Sequence, residues 1–209
     1  RTLREEPVDF VVEGEGPYTL AALIETLRAG ASLEKVPGLW WKGPDGEWWY
    51  RNEFAPLVKD LDGEMPGVAW AKLPFVHMYR THNWHALGHA ESSPFAALYT
   101  TLNCPYSCAF CMIASPFGGP GYQKWSPALV GSELERLARM DVRHVKIADE
   151  MHWLSEKHVE GICDEILRRG LGDHLNLWCY ARVDSVRHPD LLDKARRAGY
   201  RWMALGIEA

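Results

Sequence analysis

From about residue 95 onward, the hydrophobic positions switch repeatedly between short continuous runs and helical spacing. The predicted strands are Ala96–Leu102, Val142–Ala148, Leu175–Ala181 and Trp202–Ile207. The three predicted helices begin at Ser126, Ser155 and Pro189. Their predicted buried positions include Val130, Leu134 and Leu137 in the first helix, and Val159, Ile162, Cys163, Ile166 and Leu167 in the second. Strands that alternate with helices at this pace predict an α/β fold with a parallel sheet or barrel.

The first 70 residues have a different pattern. The run Val8–Val12 predicts a buried strand, and a Gly/Glu-rich turn follows it. Thr19 is predicted to cap a helix that Gly30 ends. The apolar positions of this helix are Leu20, Leu23, Ile24 and Leu27.

Two aromatic runs, at positions 38–42 and 47–50, flank a turn rich in Gly, Pro and Asp. This arrangement predicts a β-hairpin. We interpret its paired tryptophans as cross-strand packing, and the alternative is a surface that stacks on sugars or lies at a membrane interface. Residues 71–94 are irregular, contain four histidines, and are predicted to form a linker.

Composition excludes several classes of protein. The chain has 209 residues, of which 47% are hydrophobic and 24% charged, so wholesale disorder is excluded. A formal charge of -5 argues against a nucleic-acid partner bound through its phosphates. No apolar run approaches the ~20 residues of a membrane helix. Because the chain begins at Arg1 and ends just after a strand, we expect it to be a fragment of a longer protein.

The strongest chemical signal is a C-x3-C-x2-C run formed by Cys104, Cys108 and Cys111. Thiolates clustered in a loop indicate a metal site, either an iron–sulfur cluster or zinc completed by a histidine. A ferredoxin-type carrier would need a fourth cysteine, but Cys163 and Cys179 have the sequence context of core residues. Three local thiolates favour a [4Fe–4S] cluster with one iron open to an external ligand. The five cysteines predict reduced thiols and a cytoplasmic location.

Polar residues follow the other predicted strands. Glu150 comes after the second strand, Arg182 and Asp184 after the third, and Glu208 after the fourth. The carboxyl ends of parallel strands share one edge, where sites assemble in α/β folds. Taken singly, Glu150 is also compatible with a solvated loop acid, and Arg182 with an ion pair to Asp184 or Asp149.

These motifs resemble the radical S-adenosylmethionine superfamily, in its cobalamin-binding branch. The resemblance extends over nearly the whole chain. It includes residues 98–105, Asp149-Glu150, residues 181–184, residues 206–209 and, near the start, Val12 to Gly16. It implies a partial (βα) barrel of the radical type with its first four strands at 95–209. It also implies a linker at 71–94 and, at 1–70, the C-terminal end of a Rossmann-like cobalamin-binding domain.

The resemblance also implies a chemistry. Reductive cleavage of S-adenosylmethionine by a [4Fe–4S] cluster would give a 5′-deoxyadenosyl radical, for cobalamin-dependent methyl transfer or rearrangement. The three cysteines would hold the cluster. The residues that would contact S-adenosylmethionine or cobalamin are Phe110, Glu150, Arg182, Glu208, Gly14 and Glu15. The implied partners are a small-molecule or peptide substrate and an electron donor such as flavodoxin or ferredoxin, without nucleic acid or membrane.

One family motif is missing. The cobalt-ligand motif D-x-H-x-x-G is absent, and the nearest match, Asn83 to Gly88 with His85, lies in the predicted linker. We therefore expect His85 to pack in the linker. The alternative to an enzyme is a non-catalytic iron–sulfur or zinc-binding module.

Overall fold

A computed structural model describes residues 1–43, 45–46, 48–81 and 92–207. The chain divides into two units. The first consists of Arg1–Asp60 and Pro105–Gly121, and the second of Leu61–Cys104 and Tyr122–Ala209. The first unit thus ends at residue 60 and also includes residues 105–121. The functional roles predicted for 1–70, 71–94 and 95–209 remain predictions. The near-match motif with His85 lies outside the described residues.

The elements of the first unit are α1 (Thr2–Glu5), β1 (Phe10–Val12), α2 (Pro17–Ala29), β2 (Leu39–Lys42) and β3 (Trp49–Arg51). Those of the second are α3 (Leu61–Glu64), β4 (Phe95–Leu98), β5 (Thr101–Leu102), β6 (Gln123–Lys124), α4 (Pro127–Arg139), β7 (His144–Ile147), α5 (Glu156–Arg168), β8 (Asn176–Arg182), α6 (Pro189–Arg197) and β9 (Tyr200–Gly206). In the part of the chain that the structure describes, no helix is both long and apolar enough to traverse a bilayer.

In the first unit, α2 lies beside an antiparallel sheet of order β1-β2-β3. The predicted cap at Thr19 is wrong, because the helix begins two residues earlier, with Pro17 at its first position. Gly30 ends it in a left-handed conformation, as predicted. Only the side of α2 that carries Leu23 is buried. The other three predicted apolar positions, Leu20, Ile24 and Leu27, are exposed in this unit.

The predicted hairpin is confirmed as β2 and β3. Trp41 lies opposite Tyr50 in the register, and their rings stack with centroids 5.1 Å apart. The guanidinium of Arg51 lies 5.4 Å from the centroid of Trp40. Cross-strand ring packing and cation–π contacts therefore account for these aromatic residues. Trp48, in contrast, is exposed.

The second unit contains a four-stranded sheet of order β4-β7-β8-β9, with every neighbouring pair parallel. Right-handed crossovers between successive neighbours put α4, α5 and α6 on the same face of the sheet. Both predicted serine caps are confirmed, since Ser126 accepts from Leu129 N and Ser155 accepts from His158 N. The predicted apolar positions of α4 and α5 are buried, apart from a half-buried Leu167.

The predicted strand Ala96–Leu102 is two strands. β4 pairs with β7, whereas β5 pairs with β6 in a separate antiparallel ribbon. Between them, the amides of Thr100 and Thr101 both donate to the Asp149 carboxylate, at 2.6 and 3.0 Å. A side chain thus replaces the hydrogen-bonding partner strand at this point, and the chain leaves the parallel sheet.

Residues 61–72 are fixed to α4 by a buried carboxylate. Glu133 is 3% exposed and accepts from Trp70 Nε1 at 2.9 Å and Val68 N at 3.0 Å. Its other oxygen accepts from Arg136 at 2.7 Å. Trp125 Nε1 donates to the carbonyl of Leu61 at 3.0 Å. Without the Glu133 carboxylate, the buried Trp70 indole N–H would lack its acceptor.

We expect Glu133→Ala to lower the free energy of unfolding by about 2–4 kcal/mol, because it leaves an indole N–H and a backbone N–H buried without an acceptor. Urea denaturation followed by circular dichroism measures this. Glu25→Ala is the control, since Glu25 forms an exposed i,i+3 pair with Arg28, and we expect it to change stability by less than about 0.5 kcal/mol. Equal effects of the two substitutions would contradict this role of Glu133.

Candidate functional site

The cysteine loop begins at the end of β5. Asn103 adopts the left-handed conformation, with φ of 67°, and its side chain accepts from the Cys104 amide at 2.7 Å. Asparagine tolerates this conformation better than most residues, because its short polar side chain bonds locally. The turn therefore directs the chain away from the sheet at Cys104, whose side chain is buried as a free thiol.

The other two cysteines of the run lie in the first unit. The Cys111 amide donates to the Cys108 carbonyl at 3.0 Å, so a tight turn joins them. Both are free thiols, Cys108 half-buried and Cys111 exposed. Phe110, between them, is 74% exposed.

Among the described residues, no three His, Cys, Asp or Glu side chains converge as they would around a single metal ion. A four-iron cluster makes a different demand, because each thiolate binds a different iron. The donor set of three free thiols suits such a cluster, and its assignment to Cys104, Cys108 and Cys111 stays a prediction.

The remaining two cysteines are core residues, as predicted. Cys163 and Cys179 are completely buried. Burial raises the pKa of Cys163 to about 12 and raises the pKa of Cys179 even further. Thiols held in the protonated form are poor metal ligands at neutral pH.

Asp149 is the most constrained polar side chain at this edge of the sheet. It is fully buried and accepts from the Thr100 hydroxyl as well as the two backbone amides described above. His152 Nδ1 lies 2.8 Å from the same carboxylate. Burial opposes the charge of Asp149, but hydrogen bonds from His152 and Thr100 hold its pKa below the usual value.

The network continues into the core. His152 Nε2 lies 2.8 Å from the Tyr200 hydroxyl. With the Nδ1 proton donated to Asp149, a neutral ring leaves Nε2 free to accept that hydroxyl proton. Nearby, burial lowers the pKa of His158 to about 4, so this imidazole is neutral at neutral pH. Sequence reasoning missed His152 and Tyr200, because nothing in their local pattern separates them from ordinary core residues.

Glu150, the next residue, has different surroundings. It is half-buried, and its Oε2 atom is buried without a hydrogen-bond partner. Burial raises the pKa of Glu150, and the charge of Asp149 adds to that effect. Tyr99 is close enough for burial and the charges of both carboxylates to raise its own pKa. An unsatisfied carboxylate oxygen at the carboxyl ends of parallel strands is suited to binding a cationic group.

Arg182 forms the ion pair that sequence analysis gave as the alternative role. Its Nε and Nη2 atoms donate to the two oxygens of Asp184 at 2.9 and 2.7 Å. The hydrogen bonds from Arg182 lower the pKa of Asp184. This bidentate pair engages two of the three guanidinium nitrogens. Glu208 lies outside the described residues.

Gly14 and Glu15 lie in the turn between β1 and α2. Gly14 has a φ of 100°, and a Cβ there would lie 3.7 Å from the Pro116 carbonyl oxygen. Glu15 accepts from the Val58 amide at 2.6 Å, and its other oxygen, Oε1, is buried without a partner. The turn therefore lies against the segment that follows the third cysteine, in the same unit.

We expect Asp149→Asn to lower the free energy of unfolding at neutral pH by about 2–4 kcal/mol, because an amide cannot accept from all four donors. Since the folded pKa lies below the unfolded value of about 3.9, the wild-type advantage is complete above that value and declines as the pH falls through the folded pKa. Urea titrations between neutral and acidic pH measure it. The exposed Asp193→Asn is the control, and an equal loss there would refute this role.

Curated relatives cover most of this chain. An uncharacterized methyltransferase of Pyrococcus horikoshii is 30% identical over 176 residues, which are 81% of this chain and 34% of that protein. The anaerobic magnesium-protoporphyrin IX monomethyl ester cyclase of Cereibacter sphaeroides is 29% identical over 215 residues, which are 100% of this chain and 33% of that protein. The chain thus spans about a third of the length of these relatives. No family model matches it.

The fold also has solved counterparts. TsrM of Kitasatospora setae, a radical S-adenosylmethionine methyltransferase solved with cobalamin and a [4Fe–4S] cluster bound, superposes with a TM-score of 0.69 and 23% identity. The superposition covers 96% of this chain and 38% of TsrM. The likeness runs through both units, and the expected cysteine motif follows the first parallel strand. The chain therefore shares its fold with a cobalamin-bound radical S-adenosylmethionine methyltransferase, as the sequence resemblance implies.

Proposed function

We propose that this chain carries the cluster-binding part of a radical enzyme that cleaves S-adenosylmethionine reductively to a 5′-deoxyadenosyl radical. The observation that carries the proposal is the half-buried Glu150 carboxylate, with an oxygen that is buried and unpartnered among the described residues. It lies at the strand edge from which β5 runs into the cysteine loop. A cationic ligand at this edge would satisfy it.

Cys104, Cys108 and Cys111 would hold the cluster. When bound, a [4Fe–4S] cluster supplies one electron to the sulfonium of S-adenosylmethionine, which breaks a carbon–sulfur bond. The chain itself contributes three thiols and leaves the fourth iron without a cysteine ligand. Asn103 fixes the direction in which the first of these thiols leaves the sheet. The exposed ring of Phe110 is available to shield the cluster or contact adenine.

Glu150 would accept the ammonium group of the methionyl part. Its neighbour Asp149 is held by four donors, so the backbone that carries Glu150 is fixed at the end of β7. A fixed carboxylate holds an ammonium group in one orientation at little entropic cost. The buried Asp149 charge also raises the pKa of Glu150, which a bound cation would reverse.

Two further residues complete the proposed cofactor contacts. Arg182 would bind the methionyl carboxylate, and the bidentate pair with Asp184 would hold its guanidinium group in place. Glu208 would meet the ribose hydroxyls or the methionine. Arg182 is the last residue of β8, and in the sequence Glu208 comes two residues after the last residue of β9.

Residues 1–70 would belong to the cobalamin side of the enzyme. The contact of Gly14 with the segment after the cysteine loop supports this, because the two lie in one unit. The four parallel strands would be the first half of a barrel. The reaction would be methyl transfer or a rearrangement on a small molecule or peptide. The electron donor would be a flavodoxin or ferredoxin in the cytoplasm, a compartment consistent with free thiols.

The alternative of a non-catalytic iron–sulfur or zinc module is not favoured. The relatives are named as methyltransferases and cyclases. A storage or structural module would also have no use for the unpartnered carboxylate at the strand edge.

We expect Cys104→Ala, Cys108→Ala and Cys111→Ala each to abolish reductive cleavage of S-adenosylmethionine and most iron binding after anaerobic reconstitution, because each removes one of three ligands. Iron analysis, electron paramagnetic resonance and 5′-deoxyadenosine formation measure this. The matched control is Cys163→Ala, since Cys163 is a buried core thiol. If the wild type took up stoichiometric zinc and no iron, the proposal would fail.

We expect Glu150→Gln to weaken S-adenosylmethionine binding by about tenfold or more, because a neutral amide replaces a charge-assisted acceptor. Affinity for the wild type should fall as the pH drops through the raised pKa of Glu150, at a higher pH than for an ordinary carboxyl group. Equilibrium dialysis with the cluster-loaded chain measures both. The exposed Glu156→Gln is the control, and unchanged affinity in Glu150→Gln would count against the assigned contact.

A further inference from the structure

The face of the parallel sheet opposite the helices carries a row of side chains that the cofactor contacts do not use. Strand register aligns Ala97 of β4, Lys146 of β7, Trp178 of β8 and Trp202 of β9. Their sequence neighbours alternate to the other face, where Val145 and Ile147 are fully buried. One face of the sheet is therefore apolar, whereas the other presents a lysine and large aromatic rings.

Two aromatic rings contact Lys146, and a third ring packs against one of them. Trp178 meets Trp202 edge to face, with centroids 5.7 Å apart, and meets Tyr180 with centroids 5.5 Å apart. Lys146 Nζ lies 4.7 Å from the centroid of Trp178 and 5.0 Å from that of Tyr180. Two cation–π contacts hold the ammonium group in one place on this face.

Within the described residues, Lys146 makes no ion pair and no hydrogen bond to an oxygen atom. An ammonium group has three N–H donors, and a ring face attracts its charge without accepting them as an oxygen does. The position thus combines a fixed positive charge with unused donors. Its chemistry favours a carboxylate as ligand.

The neighbouring residues leave room for a flat ligand. Ala97 lies beside Lys146 in the row and is exposed, and Ala204 lies beside Tyr180. Tyr180 is 40% exposed and Tyr99 is 45% exposed. Exposed aromatic surface next to short side chains can stack against a planar, conjugated body.

The row also has a defined relation to the proposed cofactor contact. Lys146 lies one residue before the carboxyl end of β7, and Glu150 follows that end in a turn three residues further along the chain. A ligand whose carboxylate lies at Lys146 would therefore extend toward the edge where Glu150 lies.

We infer that this row binds the substrate, and that the substrate is a planar aromatic or conjugated carboxylate whose anionic group pairs with Lys146. This inference rests on the proposed function for its location next to the cofactor, but the binding itself requires no cluster. Tyr180 and the partly exposed Trp202 would contact the flat body, and the buried Trp178 would hold Lys146 in place. The row would thus select for charge at one end and for planarity along the ligand.

The test uses 2-naphthoate and its neutral counterpart 2-naphthamide as probes. Binding to the 209-residue chain is measured by calorimetry. We expect 2-naphthoate to bind about tenfold more tightly than the amide, and Lys146→Met to remove that preference without changing amide binding. Lys146→Arg should retain it. The control is Lys157→Met, on the exposed side of α5.

Equal affinities of the wild type for the two probes would overturn the inference, and so would a charge preference that survives in Lys146→Met. A folded wild type that binds neither probe would overturn it as well. Circular dichroism establishes folding for each variant. The proposed function is tested separately by 5′-deoxyadenosine formation without probe. Failure of that reaction alongside Lys146-dependent binding would refute the function and leave the site standing.

Discussion

A single buried carboxylate organises the carboxyl edge of the parallel sheet. Asp149 accepts hydrogen bonds from two consecutive backbone amides, a threonine hydroxyl and a histidine ring. An ionised group completely removed from water is tolerated only when donors replace its hydration, and here four donors do so. The network ties the end of β7 to the break between β4 and β5, and its histidine reaches Tyr200 at the start of β9.

This constraint has consequences for the site. Because Asp149 binds the amides of Thr100 and Thr101, the chain cannot continue β4 in the sheet, and β5 departs toward Cys104. Because the same residue is fixed, its neighbour Glu150 is held at the edge with one oxygen unsatisfied. Asp149 is thus held rigidly, and it fixes the backbone of its neighbour Glu150. A preorganised site requires such support from the residues around it.

The two faces of the parallel sheet differ in the side chains that they carry. Its helix-covered face is apolar, and residues such as Leu177 and Cys179 are completely buried there. Its other face carries Lys146 and aromatic rings at the alternating positions of the same strands. Parallel strands buried on both faces usually read as continuous hydrophobic runs. Lys146 and the exposed Tyr180 in these strands therefore distinguish this face from the helix-covered one.

Much of the fold could be predicted from local pattern. The serine caps of α4 and α5, the glycine that ends α2 and the hairpin at 39–51 follow from backbone preferences that a few neighbouring residues determine. The C-x3-C-x2-C run predicts a metal-cluster site from its spacing alone, because clustered thiols have few other uses. Local pattern failed at Thr19, where Pro17 competed for the helix start, and at residues 99–100, where a distant side chain ended the strand.

The sequence by itself determined the order of strands and helices, the thiol motif and the family resemblance, because each depends on the spacing of residues along the chain. Only the tertiary structure decided which polar residues are buried together. Asp149, Thr100 and His152 share one network, and the Lys146 ammonium group lies over the rings of Trp178 and Tyr180. Such pairings depend on strand register and burial, which join residues up to 52 positions apart, and no local pattern encodes them.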